Sequence, residues 1–125
     1  MASDKTTSIS ELKDKVRKFV DDRDWAKYHN PKDIAISISI EASELLELFQ
    51  WVSERELKRV LKDPKKQIKV NEEVADIMIY CFSLANALNI DLSKAVFDKI
   101  EKNESKYPSE KVIGKYKKYT ELRGE

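Results

Sequence analysis

Four acids recur at a spacing that puts each pair on one side of a helix: Glu41 with Glu44, and Glu73 with Asp76. Side chains three apart on a helix stand about 5 to 6 Å from one another, so each pair offers two carboxylates to one small ligand. Their company is unusual for surface acids. Glu41 and Glu44 share a face with Ile34, Ser37, Leu45 and Leu48, and Asp76 neighbours Ile79 and Tyr80. If the two segments pack antiparallel, four like charges meet in a half-buried place, which raises their pKa values and destabilises the fold unless a cation neutralises them. Oxygen-only donors favour Mg²⁺ or Mn²⁺ over zinc, and Mg²⁺ keeps waters or phosphate oxygens in its remaining positions. That chemistry points to phosphate substrates. The competing reading, solvated acids on Glu-rich helices, fits either pair alone better than it fits two pairs in apolar surroundings. Glu47, three residues further on, is as readily a solvated neighbour or an intersubunit ion-pair partner as a ligand.

Two further groups of residues bear on binding. Lys99, Lys102, Asn103 and Lys106 fall on one helical stripe that ends at Tyr107; the stripe can clasp phosphates or simply be a solvated lysine face. Trp25, Tyr28 and His29 cluster ahead of the first acidic pair and Trp51 follows it, supplying rings that either stack on a nucleobase or pack in a core.

Composition removes several alternatives. His29 is the sole histidine, which excludes Glu-x-x-His di-iron sites and His-rich zinc sites, and leaves a Ser-His-Asp triad only through His29 itself. The only glycines are Gly114 and Gly124, so there is no phosphate-cradling Gly loop and no dinucleotide fingerprint. Lysine plus arginine totals 24 against 23 acids, so bulk charge gives no reason to expect a nucleic-acid polymer. Cys81 is the one cysteine and sits between Tyr80 and Phe82, which suits a buried thiol. No apolar run is long enough to span a membrane and the polar start resembles no export signal. A cytoplasmic protein is the expectation.

The elements that must position the acids are helices. Gly and Pro are scarce, so the few breakers read as punctuation. Ser8 and Glu11 have capping-box spacing and open a helix running to about Asp22. Asn30-Pro31 pairs an N-cap with proline at the first helical position, opening a second helix predicted to stop near Trp51. Inside it Ile34, Ile36, Ile38 and Ile40 alternate as a strand would, but a lone strand has no partner here, and a helix apolar on nearly all sides suits a buried bundle element. Ser53 and Glu56 open a short connecting helix ended by Asp63-Pro64. A long helix follows over about 65–88 with a broad apolar surface, capped by Asn89, and a last one from Asp91 to Tyr107-Pro108 with Leu92, Ala95, Val96 and Ile100 facing inward. The expectation is an all-α, four-helix bundle-like domain over 1–108 with a short extra connecting helix, followed by a charged tail over 109–125. Apolar faces this wide imply completion by a second subunit.

The order of features resembles a known family. Arg23-Asp24-Trp25, Tyr28-His29-Asn30-Pro31, Glu41-x-x-Glu44 running into Leu48-Phe49-Gln50-Trp51, Glu72-Glu73-Val74-Ala75-Asp76-Ile77 with Tyr80, Ile90-Asp91-Leu92, and Lys99-x-x-x-Asn103-x-x-x-Tyr107-Pro108 are similar to the MazG-like nucleoside triphosphate pyrophosphohydrolases, most closely the dCTP pyrophosphatase branch. The likeness covers roughly residues 19–122. It implies an all-α dimer or dimer of dimers that hydrolyses a nucleoside triphosphate to monophosphate and pyrophosphate. It further implies Mg²⁺ on Glu41, Glu44, Glu73 and Asp76, phosphate or sugar contacts from Lys99 and Asn103, and a nucleotide pocket shaped by His29, Trp51, Tyr80 and Tyr107. Ile40 and Ser43 depart from the family, which carries glycines beside the first acidic pair. A dCTP-like substrate is the first expectation, a broader or dUTP-directed pyrophosphatase the second, and a catalytically silent nucleotide- or protein-binding oligomer the third.

Overall fold

Caps and breakers set the helix limits. The computed structural model describes residues 1–114, and these form six α-helices and a 3₁₀ turn, with no strand among them. The first helix, α1 (Ile9–Asp22), opens on a complete capping box: the Glu11 N–H donates to Ser8 Oγ at 3.1 Å and the Ser8 N–H to Glu11 Oε2 at 3.0 Å. Its end is a Schellman turn. Asp24 takes a left-handed conformation (φ 53°), the Trp25 N–H reaches back to the Val20 carbonyl at 3.0 Å and the Asp24 N–H to that of Asp21 at 3.0 Å. This turn folds Trp25 edge-on against Phe19, with ring centroids 5.8 Å apart, while the Arg23 guanidinium covers the Phe19 ring at 3.8 Å. The connector then makes the 3₁₀ turn at Ala26–Tyr28.

Asn30 caps α2 (Pro31–Glu47), its Oδ1 accepting from the Asp33 N–H at 2.9 Å, with Pro31 in the first turn. The alternating isoleucines are helical, as the partner argument required. Only one of them is deeply buried: Ile34 is 2% exposed, while Ile36 and Ile40 stand 49% and 53% exposed. The helix also ends sooner than the expected stop at Trp51. The Leu48 and Phe49 N–H groups bond three residues back, to Leu45 and Leu46, and tighten the chain into turns. Ser53 caps α3 (Glu54–Lys62) by accepting from the Glu56 N–H. Asp63 then caps α4 (Pro64–Leu88), which ends on left-handed Asn89 (φ 54°) with the Ile90 N–H bonded to the Ala85 carbonyl at 2.9 Å.

The chain divides into two compact units, Met1–Ile90 and the segment from Asp91 onward. In the first, α4 is the hub on which α1, α2 and α3 pack, and its seam with α2 is the most extensive. The core is small: Val16, Ile34, Phe82 and Ala85, with Ser83 beside them. Polar bonds fasten α1 to α4. Lys13 Nζ donates to the Ile90 carbonyl at 2.7 Å, and Asn86 Nδ2 donates to the Lys13 carbonyl at 3.0 Å while its Oδ1 accepts from Arg17 at 3.0 Å. Cys81 is half-buried, and burial pushes its thiol pKa up.

In the second unit Asp91 caps α5 (Leu92–Lys106) by accepting from the Lys94 N–H at 3.0 Å. The expected inward face is corrected here: Val96 and Ile100 are exposed, with no layer among the described residues to cover them. Val74, Met78 and Leu88 of α4 are likewise exposed. The tail expected over 109–125 begins with a helical turn, α6 (Ser109–Val112), and from residue 115 lies outside the described residues. No single helix among them is long and apolar enough to cross a membrane.

Truncating the most buried side chain of the seam, Ile34→Ala, should lower unfolding stability by ~2–4 kcal/mol, and removing the first cap, Ser8→Ala, by ~1 kcal/mol. Urea midpoints at constant slope measure both.

Candidate active site

The α2–α4 seam is antiparallel: Ile34 of α2 lines one cleft with Ser83 and Asn86 of α4, and Glu41, further along α2, meets Glu73 and Asp76, further back along α4. Helical periodicity therefore delivers the acids to one place. Glu41, Glu73 and Asp76 each offer a carboxylate oxygen, and these oxygens lie within 4.8 Å of one another. Glu44 sits one turn beyond Glu41, near enough for its carboxylate to act on both Glu41 and Glu73.

This grouping carries an electrostatic load. Burial pushes the Glu41 pKa up from 4.5 to about 7, with the Glu44 carboxyl beside it and then the charges of Asp76 and Glu73 adding to it. Glu73 is raised too, first by burial and then by the charge of Glu44. Glu41 Oε2 and Glu73 Oε2 are both buried without a hydrogen-bond partner. A buried acceptor in that state is costly unless a donor or a cation meets it. All donors are hard carboxylate oxygens, with no imidazole or thiolate in the group, so the residues present fit a hard divalent cation.

The remaining predicted residues fall in different places. Tyr80 is half-buried one turn past Asp76, on the α4 face that continues to Ser83. His29 is half-buried at the end of the 3₁₀ turn, its ring tilted against Trp25 at 6.4 Å and its Nδ1 buried without a partner. Trp51 stands in the turns after α2, 86% exposed. Lys99, Asn103 and Tyr107 follow one another along a face of α5 in the second unit. The departures from the family pattern do not crowd the acids: Ile40 faces solvent and Ser43 Oγ donates to the Ser39 carbonyl at 3.0 Å. Sequence reasoning missed Arg17, Asp21 and Asn86, which line a cleft with His29 and Ile34. A signal existed for Asn86, an amide one turn after Phe82 on an otherwise apolar stretch.

The sequence profile of the MazG-like family matches residues 36–122, which include all four acids. This chain belongs to the MazG-like family. Rat and human dCTP pyrophosphatase 1 are 36% and 35% identical to it over 104 residues, 83% of this chain. The chain spans 61% of the length of those relatives. A crystal structure of a pyrophosphatase from Archaeoglobus fulgidus superimposes with a TM-score of 0.76 at 45% identity, covering 86% of this MazG-like chain and 99% of the other.

The raised Glu41 pKa has a definite sign in stability. Between about 4.5 and 7 the folded protein holds a proton on Glu41 that the unfolded chain has released, so folding is favoured below this window and that advantage is lost as pH rises through it. In EDTA the melting temperature should fall by a few degrees from pH 5 to pH 8, Glu41→Gln should flatten that fall, and Mg²⁺ should raise the melting temperature more at pH 8 than at pH 5. Thermal scans at fixed ionic strength check all three.

Proposed function

We propose that this MazG-like protein is a Mg²⁺-dependent nucleotide pyrophosphohydrolase that cleaves a deoxynucleoside triphosphate, dCTP or a modified dCTP, to the monophosphate and pyrophosphate, clearing it from the nucleotide pool. The observation that carries the reading is the trio of carboxylate oxygens within 4.8 Å, two of its residues bearing buried, unpartnered oxygens. The names of the rat and human relatives and of the archaeal structure support the reaction class.

Glu41, Glu73 and Asp76, with Glu44 beside them, would hold the divalent cation, Mg²⁺ or Mn²⁺. When bound it supplies Lewis acidity toward the phosphates and a more acidic water. The chain's own part is placement and proton handling. The seam keeps the carboxylates close and partly buried, so charge there is screened less than in bulk water. A carboxylate of the group not fully engaged by the metal would take the proton of the water that attacks the α-phosphorus. Lys99 and Asn103 are assigned to phosphate or sugar, and His29, Trp51, Tyr80 and Tyr107 to the walls of the nucleotide site, on the strength of the family pattern.

A homo-oligomer belongs to the same reading. Ile36, Ile40, Val74, Met78 and Val96 present apolar faces to solvent, which a second copy would cover. Light scattering should return a multiple of the 14.6 kDa chain mass; a 14.6 kDa species at micromolar concentration would count against it.

The deciding assay is a panel of nucleoside triphosphates with and without Mg²⁺, followed by pyrophosphate release. Release should require the metal and be fastest with dCTP, and Glu44→Gln and Asp76→Asn should each lower kcat at least ~100-fold, the usual loss when one group stabilising transition-state charge is removed. Full turnover by either variant would take the carboxylates out of the chemistry. No release from any nucleotide would favour a silent binding module.

A further inference from the structure

The cleft that α1, the 3₁₀ turn, α2 and α4 enclose has a volume of about 280 Å³, at the small end of the range for ligand sites, about 300 Å³ upward. That is room for one planar ring. Its floor is apolar, from Val16, Val20, Ala26 and Ile34, and its polar groups are Arg17, Asp21, His29, Ser83 and Asn86. It lies at a defined distance from the acids. Ile34 precedes Glu41 by seven residues on α2 and Ser83 follows Asp76 by seven on α4, so on both helices the cleft is two turns, roughly 10 Å, along the same face from the carboxylates. One nucleoside spans such a gap between its base and its α-phosphate.

The polar groups are held in complementary roles. Arg17 is fixed from two sides, donating to Asn86 Oδ1 at 3.0 Å and to Asp14 Oδ1 at 3.1 Å, which leaves three of its five N–H donors free. Asn86 is itself fixed by its bond to the Lys13 carbonyl. Asp21 stands one turn beyond Arg17 on the same face of α1, its side chain about 5 to 6 Å away at Cβ, and no described residue pairs with its carboxylate. His29 brings a buried Nδ1 that no described residue satisfies.

We propose that this cleft is the base pocket and that Arg17 and Asp21 make it selective for an aminopyrimidine ring of the cytosine type. The inference rests on the hydrolase reading above and names the residues that choose its substrate. A cytosine edge presents an amino donor beside two acceptors, the ring nitrogen and the carbonyl. Asp21 accepts from the amine and Arg17 donates to the two acceptors, with the His29 ring lining the cleft beside them. A uracil or thymine ring puts a carbonyl oxygen where the amine stood, against the Asp21 carboxylate, and two facing acceptors repel.

The test compares dCTP and dUTP hydrolysis by the wild type, Asp21→Asn and Arg17→Gln. The wild type should favour dCTP, and each variant should lower the dCTP-to-dUTP ratio of kcat/KM about tenfold, mainly through KM. A ratio that stays within about twofold of wild type in both variants overturns the assignment while leaving the carboxylate chemistry intact. A second measurement needs neither phosphate nor metal. Because His29 is the only histidine, its ring signals can be followed by NMR as deoxycytidine or deoxyuridine is added in EDTA. Deoxycytidine should shift them and deoxyuridine should shift them less, a difference that Asp21→Asn removes. Should no triphosphate be hydrolysed, the enzymatic reading fails, and this titration still decides the pocket: selective shifts uphold it, and signals unmoved by either nucleoside overturn it.

Discussion

Carboxylates forced together at the α2–α4 seam are the constraint around which this protein is arranged. Glu41, Glu73 and Asp76 bring oxygens within 4.8 Å, Glu44 adds its charge, and partial burial denies them the water that would make such crowding harmless. The outcome is a carboxyl group that keeps its proton to about pH 7 and two buried oxygens without partners. A fold tolerates such a place when something outside the chain relieves it, and for hard oxygen donors that is a divalent cation.

The rest of the first unit serves to hold that seam in register. Its core is too small to do so by apolar burial alone, so capping and polar ties share the task. The Schellman turn after α1 swings Trp25 back onto Phe19 and delivers His29 to the cleft. Asn86 and Lys13 then fix α1 to α4 through bonds between side chain and backbone. The same ties that fasten the helices therefore also set the guanidinium of Arg17 at the edge of a cleft two turns from the acids.

Apolar surface is the other side of so small a core. Ile36, Ile40 and Met78 lie on the very helices that carry the acids, yet face outward. A helix wet on one side and packed on the other would carry polar residues there. These do not, and they leave apolar surface on both helices.

Helix positions were legible because they follow from local chemistry. Ser8 with Glu11, Asn30 with Pro31 and Asp91 each satisfy or omit N–H groups at a helix start, and that requires no knowledge of the rest of the chain; Asp63-Pro64, legible as the stop of α3, also caps α4. The i, i+3 spacing of the acids was likewise a local fact, as was the family pattern running through them. The end of α2 at Glu47, short of the expected stop near Trp51, was not legible, because whether a helix tightens into turns depends on what its last residues pack against. The inward face assigned to Val96 and Ile100 failed for a similar reason: periodicity says that one side is apolar, not that the chain has anything to cover it. Only the tertiary structure decided that α2 and α4 run antiparallel in a register that sets Glu41 against Glu73 and Asp76, and that Arg17, Asp21, His29 and Asn86, up to 69 residues apart, border one cleft. Pairings across helices depend on how whole faces fit together, and no spacing along a single helix contains that information.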